Sequence, residues 1–364
     1  LGEKHVTCAY THAAARLVRG CTIAHLLHFD KRLHNAWVII DEVSLLPIDT
    51  LGQIARWQTV GAKFVMLGDF EGQFEAFKDR WSRVSYSSVP NSELFKTLCK
   101  NRHFHMEVYR RGKDQELFDW FYSMYPRQKH ANDTLEDMVR WSQERYPMRV
   151  NSMEVQTALC ISHNKRRFIN ERQNEAFAAA NVARGNLTRH IAWEQEDLVG
   201  TTCQPQSMTI WKGIALIGCP RGSAKKSPVV QGVVYTVKQI NENDVVLRML
   251  KDYRPPETDA PKEEDQEEDE DDECAKPSDI TLLLDDVPTL MRLTHAICYY
   301  TVQGRTLRDH TLLLDTSHNN FSRRALIVGL SRADHGKFVH VATDEEEAQF
   351  MGGRRWVVQR VVTQ

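Results

Sequence analysis

Apolar residues follow two rhythms along this chain. In the first hundred residues, short apolar runs alternate with stretches of helical spacing. VTCAY (Val6 to Tyr10), WVIID (Trp37 to Asp41) and KFVML (Lys63 to Leu67) read as strands. THAAARLVRG follows the first of them. Pro47 to Val60 precedes the third and places Leu51, Ile54, Ala55 and Trp57 at helical intervals. Strand-helix-strand alternation predicts a parallel sheet covered by helices. Asn101 to Arg149, rich in charge and aromatics, predicts helix. TALCIS (Thr157 to Ser162) restores a buried strand, with a helix over NKRRFINERQNEAFAAANVA after it.

From Thr209 the pattern shortens. MTIWKGIALIG, GVVYTVKQI and NDVVLRML are brief strand patterns separated by Gly, Pro and Asn, which predicts a small β-barrel of about 50 residues. LTHAICYYTVQG, HTLLLD and KFVHVAT then return to strand patterns, with a helix predicted over SRRALIVGLSRA between the latter two.

Composition narrows the class. A chain of 364 residues with 41% hydrophobic content can hold two domains and an insert. No run approaches the roughly 18 apolar residues of a membrane span, and the start is no signal peptide. No membrane association is expected, and an intracellular site is. The eight cysteines include no C-x-x-C pair, so reduced thiols are expected in place of a zinc site or a disulfide framework. The net charge of −2 hides an asymmetry: Glu257 to Glu273 holds twelve acidic residues and one lysine, and the rest of the chain carries +9. The acidic run has too few apolar residues to fold and is expected to be a linker. The basic remainder suits a polyanionic partner.

Four polar clusters interrupt the apolar runs. VIIDEVSLL ends a strand on Asp41 and Glu42. At the carboxyl end of a parallel strand an Asp can hold magnesium through its waters, and a neighbouring Glu can act as general base. Alone, the pair reads first as a charged surface turn. KFVMLGDFEGQF changes that, because a second strand ends in Asp69 and offers Gln73 nearby. YYTVQGRTLRDH places Gln303, Gly304 and Thr306 just past another strand pattern, and VGLSRADHGKF sets Arg332 in an apolar segment, where a guanidinium can face a transferring phosphoryl group.

The order of TCAYTHAAARLVRGCTIAHLL, VIIDEVSLL, VMLGDFEGQF, VYRRGKDQELF, LTHAICYYTVQGRTL and VGLSRA resembles the ordered motifs of superfamily 1 helicases, most closely the PIF/RecD-like branch in the form found in large DNA viruses. The resemblance covers nearly the whole chain. It implies an α/β fold of two RecA-like P-loop NTPase domains, the first truncated, with an SH3-like β-barrel insert in the second. The boundaries expected are 1–100 for the first domain, 101–200 and 280–364 for the second, 201–255 for the insert and 256–279 for the acidic linker. It implies a monomeric, ATP- and magnesium-dependent motor that unwinds duplexes by moving 5′-to-3′ on single-stranded DNA, with RNA as an alternative strand. Nucleus, cytoplasm or a viral replication site would suit it, in DNA replication, recombination or repair.

By the same resemblance Thr11, His12 and Thr306 line the strand channel, Asp41 holds magnesium and Glu42 activates water. Asp69 and Gln73 couple phosphate to the domain interface, Arg110 or Arg111 contacts the terminal phosphate, Gln303 and Gly304 touch nucleotide and strand, and Arg332 is the arginine finger. Trp37, Trp57, Trp81 and Trp211 are candidates for base stacking or for core. Two departures stand out. Tyr300-Thr301-Val302 replaces the usual His-Lys-Ser before Gln303. No G-x-x-x-x-G-K-[ST] occurs; GCPRGSAKKS has its glycines four apart and its lysines late. In the family that loop lies about 20 to 35 residues before the THAAARL stretch, so the expectation is a helicase sequence lacking its amino-terminal loop. A non-catalytic nucleic-acid-binding module is the alternative.

Overall fold

The computed structural model describes residues 4–27, 33–74, 89–106, 112–195, 204–220, 227–250 and 279–353. The acidic run, Trp81, Arg110 and Arg111 lie outside the described residues, as does most of GCPRGSAKKS.

The first part of the chain runs β1 (His5–Ala9), α1 (His12–Leu17), β2 (Cys21–Thr22), α2 (Ile23–Leu27), β3 (Trp37–Asp41), α3 (Ile48–Ala55), β4 (Lys63–Met66) and α4 (Glu93–Leu98). Its sheet is parallel throughout, in the order β2-β1-β3-β4. Val38 and Ile40 of β3 are fully buried, and α3 covers them with Leu51 and Ile54, as the spacing predicts. Each such aliphatic side chain contributes about 1.5–3 kcal/mol when taken from water. Trp57 belongs to this core, whereas Trp37 is half-buried under the Lys63 ammonium.

Next come α5 (Gln115–Tyr122), α6 (Leu135–Arg145), β5 (Thr157–Cys160), α7 (His163–Ala183), β6 (Thr188–Ile191), β7 (Met208–Trp211), β8 (Ala215–Gly218), β9 (Val234–Ile240) and β10 (Asp244–Met249). After the acidic run follow β11 (Asp279–Leu283), α8 (Val287–Leu290), β12 (Met291–Leu293), β13 (Ala296–Cys298), β14 (Thr311–Leu313), α9 (Arg323–Ser331), β15 (Val339–Val341) and α10 (Asp344–Phe350). A second parallel sheet has the order β13-β5-β14-β15. The stretch predicted to be helical from Asn101 thus resolves into α5 and α6 joined by turns.

The β-rich patch is a five-stranded antiparallel sheet, β11-β10-β9-β8-β12. It takes strands from both sides of the acidic run: β11 pairs with β10, and β12 with β8. A boundary at residue 280 therefore divides strands that share one sheet. Strands β6 and β7 pair separately as a hairpin.

Helix α7 ties these parts together with buried polar side chains. Asn170 accepts from the Ala296 N–H at 2.8 Å and donates to its carbonyl at 3.2 Å, closing the outer edge of β13. One turn on, Asn174 makes the same pair with Thr209 of β7, at 2.7 and 2.8 Å. An edge strand's unpaired amide and carbonyl are costly when buried, and each asparagine satisfies both at once. Among the described residues no helix is long and apolar enough to cross a membrane.

His295 lies at this junction, stacked on Phe177 of α7 at 5.1 Å and on Trp211 of β7 at 6.4 Å. Burial pushes its pKa down to about 4. The unfolded chain, with a histidine near 6.5, therefore takes up the proton first as pH falls. Stability from this group is complete above pH ~6.5 and is lost progressively towards about pH 4, on the order of 3 kcal/mol in all. Urea denaturation from pH 4.5 to 8 should show this decline in the native protein and a flatter profile in His295→Phe.

Candidate functional site

Because β1, β3 and β4 are parallel neighbours, their carboxyl ends share one edge. Ala9 pairs with Asp41, so Thr11 and His12 follow one strand where Asp41 and Glu42 follow the next. Thr11 caps α1, its hydroxyl accepting the Ala14 N–H at 3.1 Å, and both Thr11 and His12 are exposed. Asp41 closes β3. Glu42 is 9% exposed and adopts φ 54°, ψ 42°. That left-handed conformation costs a non-glycine residue about 1–2 kcal/mol. It is held by its surroundings: the Val43 N–H donates to the Leu67 carbonyl and the Leu67 N–H to the Ile40 carbonyl, each at 2.8 Å. Gly68 lets the end of β4 lie against this turn, since a Cβ there would fall 2.8 Å from Val43 Cγ1 and 2.9 Å from the Ser44 nitrogen.

Ser44, fully buried just past Glu42, joins the two strand ends. Its hydroxyl donates to Gln73 Oε1 at 3.2 Å and accepts from the Asp69 N–H at 3.4 Å. Asp69 Oδ1 accepts the N–H groups of Glu71 and Gly72 at 3.0 and 2.8 Å, which folds the loop into a tight turn. Gln73 is 7% exposed.

The part of the chain built on the second parallel sheet, called the second domain below, meets this loop directly. Gln303 Oε1 accepts the Phe74 N–H at 2.8 Å, and the Phe74 ring lies 5.9 Å from that of Tyr300 while packing on the second domain's core. Gly304 has φ +74°, a left-handed turn that suits glycine. Thr306 is exposed beyond it. Arg332, 3% exposed, ends α9; its carbonyl accepts the Leu307 N–H at 2.8 Å, and its Nη2 donates to Ser331 Oγ at 2.9 Å. Gln303, Gly304, Thr306 and Arg332 thus belong to one structural unit, and Gln303 carries it to the first domain.

Three residues here are not singled out by the sequence motifs. Ser44 is hidden inside an apolar run. Tyr125, in the turn after α5, donates its hydroxyl to Asp69 Oδ2 at 2.7 Å. Arg324 donates to the Phe70 carbonyl at 3.3 Å. A buried triad also underlies the second sheet: Lys165 Nζ bonds Asp315 Oδ1 at 2.5 Å and the Glu347 carboxylate. Burial pulls the Lys165 pKa down, but the two carboxylates outweigh it and raise the pKa above its ordinary value. Asp315 itself takes φ 63° and accepts the Ile161 N–H at 2.6 Å.

Among the described residues no group of three or more His, Cys, Asp or Glu could cage a metal alone. A single strand-end carboxylate is a donor that fits magnesium, which keeps waters and takes its other ligands from a nucleotide's phosphates.

No protein-family model matches the chain, and no curated protein matches it in sequence. Solved structures do match in fold. The Bacteroides Pif1 helicase bound to single-stranded DNA aligns with a TM-score of 0.59 at 16% identity, over 94% of this chain and 83% of that one. The Bacteroides Pif1 complex with ADP-AlF3 and single-stranded DNA gives 0.56 at 17% identity, over 94% and 83%. The Candida albicans Pif1 helicase gives 0.55 at 15%, over 93% and 84%. The chain therefore has the fold of Pif1 helicases.

The backbone of Glu42 yields a stability test. Glycine accepts the left-handed region without cost, so Glu42→Gly should raise the unfolding free energy by about 1 kcal/mol, while Glu42→Gln should leave it nearly unchanged. Chemical denaturation of the three proteins side by side measures both values.

Proposed function

We propose that this chain is the motor region of an ATP-dependent DNA helicase of the PIF/RecD-like type, moving 5′-to-3′ as a monomer on single-stranded DNA. The observation that carries the reading is the shared loop: Gln73 is bonded to Ser44 beside Glu42, and the next residue is bonded to Gln303 of the second domain. A device that moves two domains with each nucleotide needs such a link. The neighbours in fold include Pif1 proteins bound to single-stranded DNA and to ADP-AlF3, which favours DNA over RNA and supports nucleotide use.

Magnesium-bound ATP would supply the phosphoryl group and the charge clamp for its transfer. Asp41 would hold the magnesium ion, and Glu42 would accept the proton of the attacking water. Gln73 and Asp69 relay the presence of the terminal phosphate through the loop. Arg332 stabilises charge on the transferring group, with Arg110 or Arg111 as a second phosphate contact. Thr11, His12 and Thr306 hold the strand by its backbone, and Gln303 and Gly304 touch nucleotide and strand.

The absence of G-x-x-x-x-G-K-[ST] from the sequence favours a second reading, a non-catalytic strand-binding module. Fluorescence anisotropy with a labelled oligothymidylate tests what both readings share; binding that weakens steeply with salt is expected, and no binding would overturn both. ATP turnover by the 364-residue chain should be negligible, since each missing transition-state contact costs on the order of 10² to 10³ in rate. Robust turnover that disappears in Glu42→Gln would exclude the non-catalytic reading and show that phosphate is held by other groups.

A further inference from the structure

The Tyr125 contact belongs to none of the motifs in the chain, yet it reaches the loop on which the proposed coupling rests. Asp69 commits Oδ1 to its own turn and leaves Oδ2 to the Tyr125 hydroxyl, 2.7 Å away. Tyr125 follows α5, whose Leu117 and Phe121 lie in the second domain's core with Met124. The bond therefore crosses from one domain to the other. A hydrogen bond to an ionised acceptor is among the stronger neutral-to-charged contacts.

Gly72 supplies an independent observation. Its backbone is not left-handed, so conformation alone does not call for glycine. Space does: a Cβ on Gly72 would lie 2.0 Å from Tyr125 Oη, 2.3 Å from its Cζ and 2.6 Å from Asp69 Oδ2. The tyrosine and the carboxylate occupy the room that any other residue's side chain would need. Glycine at this position is thus explained by the seat of the tyrosine.

The neighbouring contacts agree in direction. Arg324 holds the Phe70 carbonyl and Gln303 holds the Phe74 N–H, so the second domain grips the loop on either side of Gly72. Tyr125 grips the side chain of the residue that also bonds Ser44 through its amide. A shift of the Ser44–Asp69 contact, next to Glu42, is transmitted to the tyrosine through a single residue.

We propose that Tyr125 is a positioning residue that latches the Asp69 loop of the first domain to the second domain, and so couples the state of the Asp41–Glu42 edge to domain closure. This rests on the motor reading given above. The test is single-molecule energy transfer between dyes placed through unnatural amino acids at the exposed positions Gln53 and Glu136. Tyr125→Phe keeps the ring and removes the hydroxyl. It should lower the ratio of closed to open molecules about tenfold, with the melting temperature unchanged. Gly72→Ala should open the protein to at least the same extent, and adding it to Tyr125→Ala should produce no further opening. A Tyr125→Phe protein with the native energy-transfer distribution would overturn the latch, as would equal effects of Gly72→Ala with and without the tyrosine. Oligothymidylate anisotropy on the same proteins separates the two levels. Native protein that binds no strand sinks the motor reading, while the energy-transfer result still decides the latch.

Discussion

Asp69 divides one carboxylate between two domains. One oxygen folds its own loop by accepting two backbone N–H groups, and the other accepts a hydroxyl from across the interface. Only an acceptor with two separate oxygens can do both at once. The positions of Gln73 and Phe74 depend on that turn, because the four residues after Asp69 leave little slack. Through them the end of β4 reaches Ser44 on one side and Gln303 on the other.

What surrounds this loop is rigid by construction. On the first-domain side, the left-handed Glu42 is held by hydrogen bonds that its chain neighbours Ile40 and Val43 share with Leu67 at the end of β4, and strain of that kind persists only where neighbours impose it. On the second-domain side, α7 clamps β13 and β7 with two asparagines and anchors the sheet through the Lys165–Asp315–Glu347 triad. Removing one partner from such a triad leaves a buried charge uncompensated, a cost of about 3–5 kcal/mol. Two stiff bodies joined by a hydrogen-bonded loop transmit displacement better than two soft ones.

Much of the first sheet was legible in the residues themselves. VTCAY, WVIID and KFVML became β1, β3 and β4 within a residue or so, because strands buried in a parallel sheet are continuous apolar runs. The α7 helix was visible by length and composition, but its face was not. Lys165, Asn170 and Asn174 are residue types that usually sit at surfaces, and here they are buried. Their partners lie 126 residues away in one case and 150 in another, a distance no local pattern reports. A β-rich patch was expected from the short strand patterns, yet β11 and β12 join its sheet from beyond the acidic run, since pairing depends on edges meeting in space.

By itself, then, the sequence determined the strand-ending polar pairs and the ordered motifs. Those follow from local chemistry: apolar continuity and carboxylates at strand ends. Tertiary structure alone decided which groups share a bond. It set Gln73 on Ser44, Phe74 against Gln303, and Tyr125 on Asp69 above a glycine that has no room for a side chain. Hydrogen bonds are short and directional, so their partners are settled only when the two sheets have packed and brought their loops within about 3 Å.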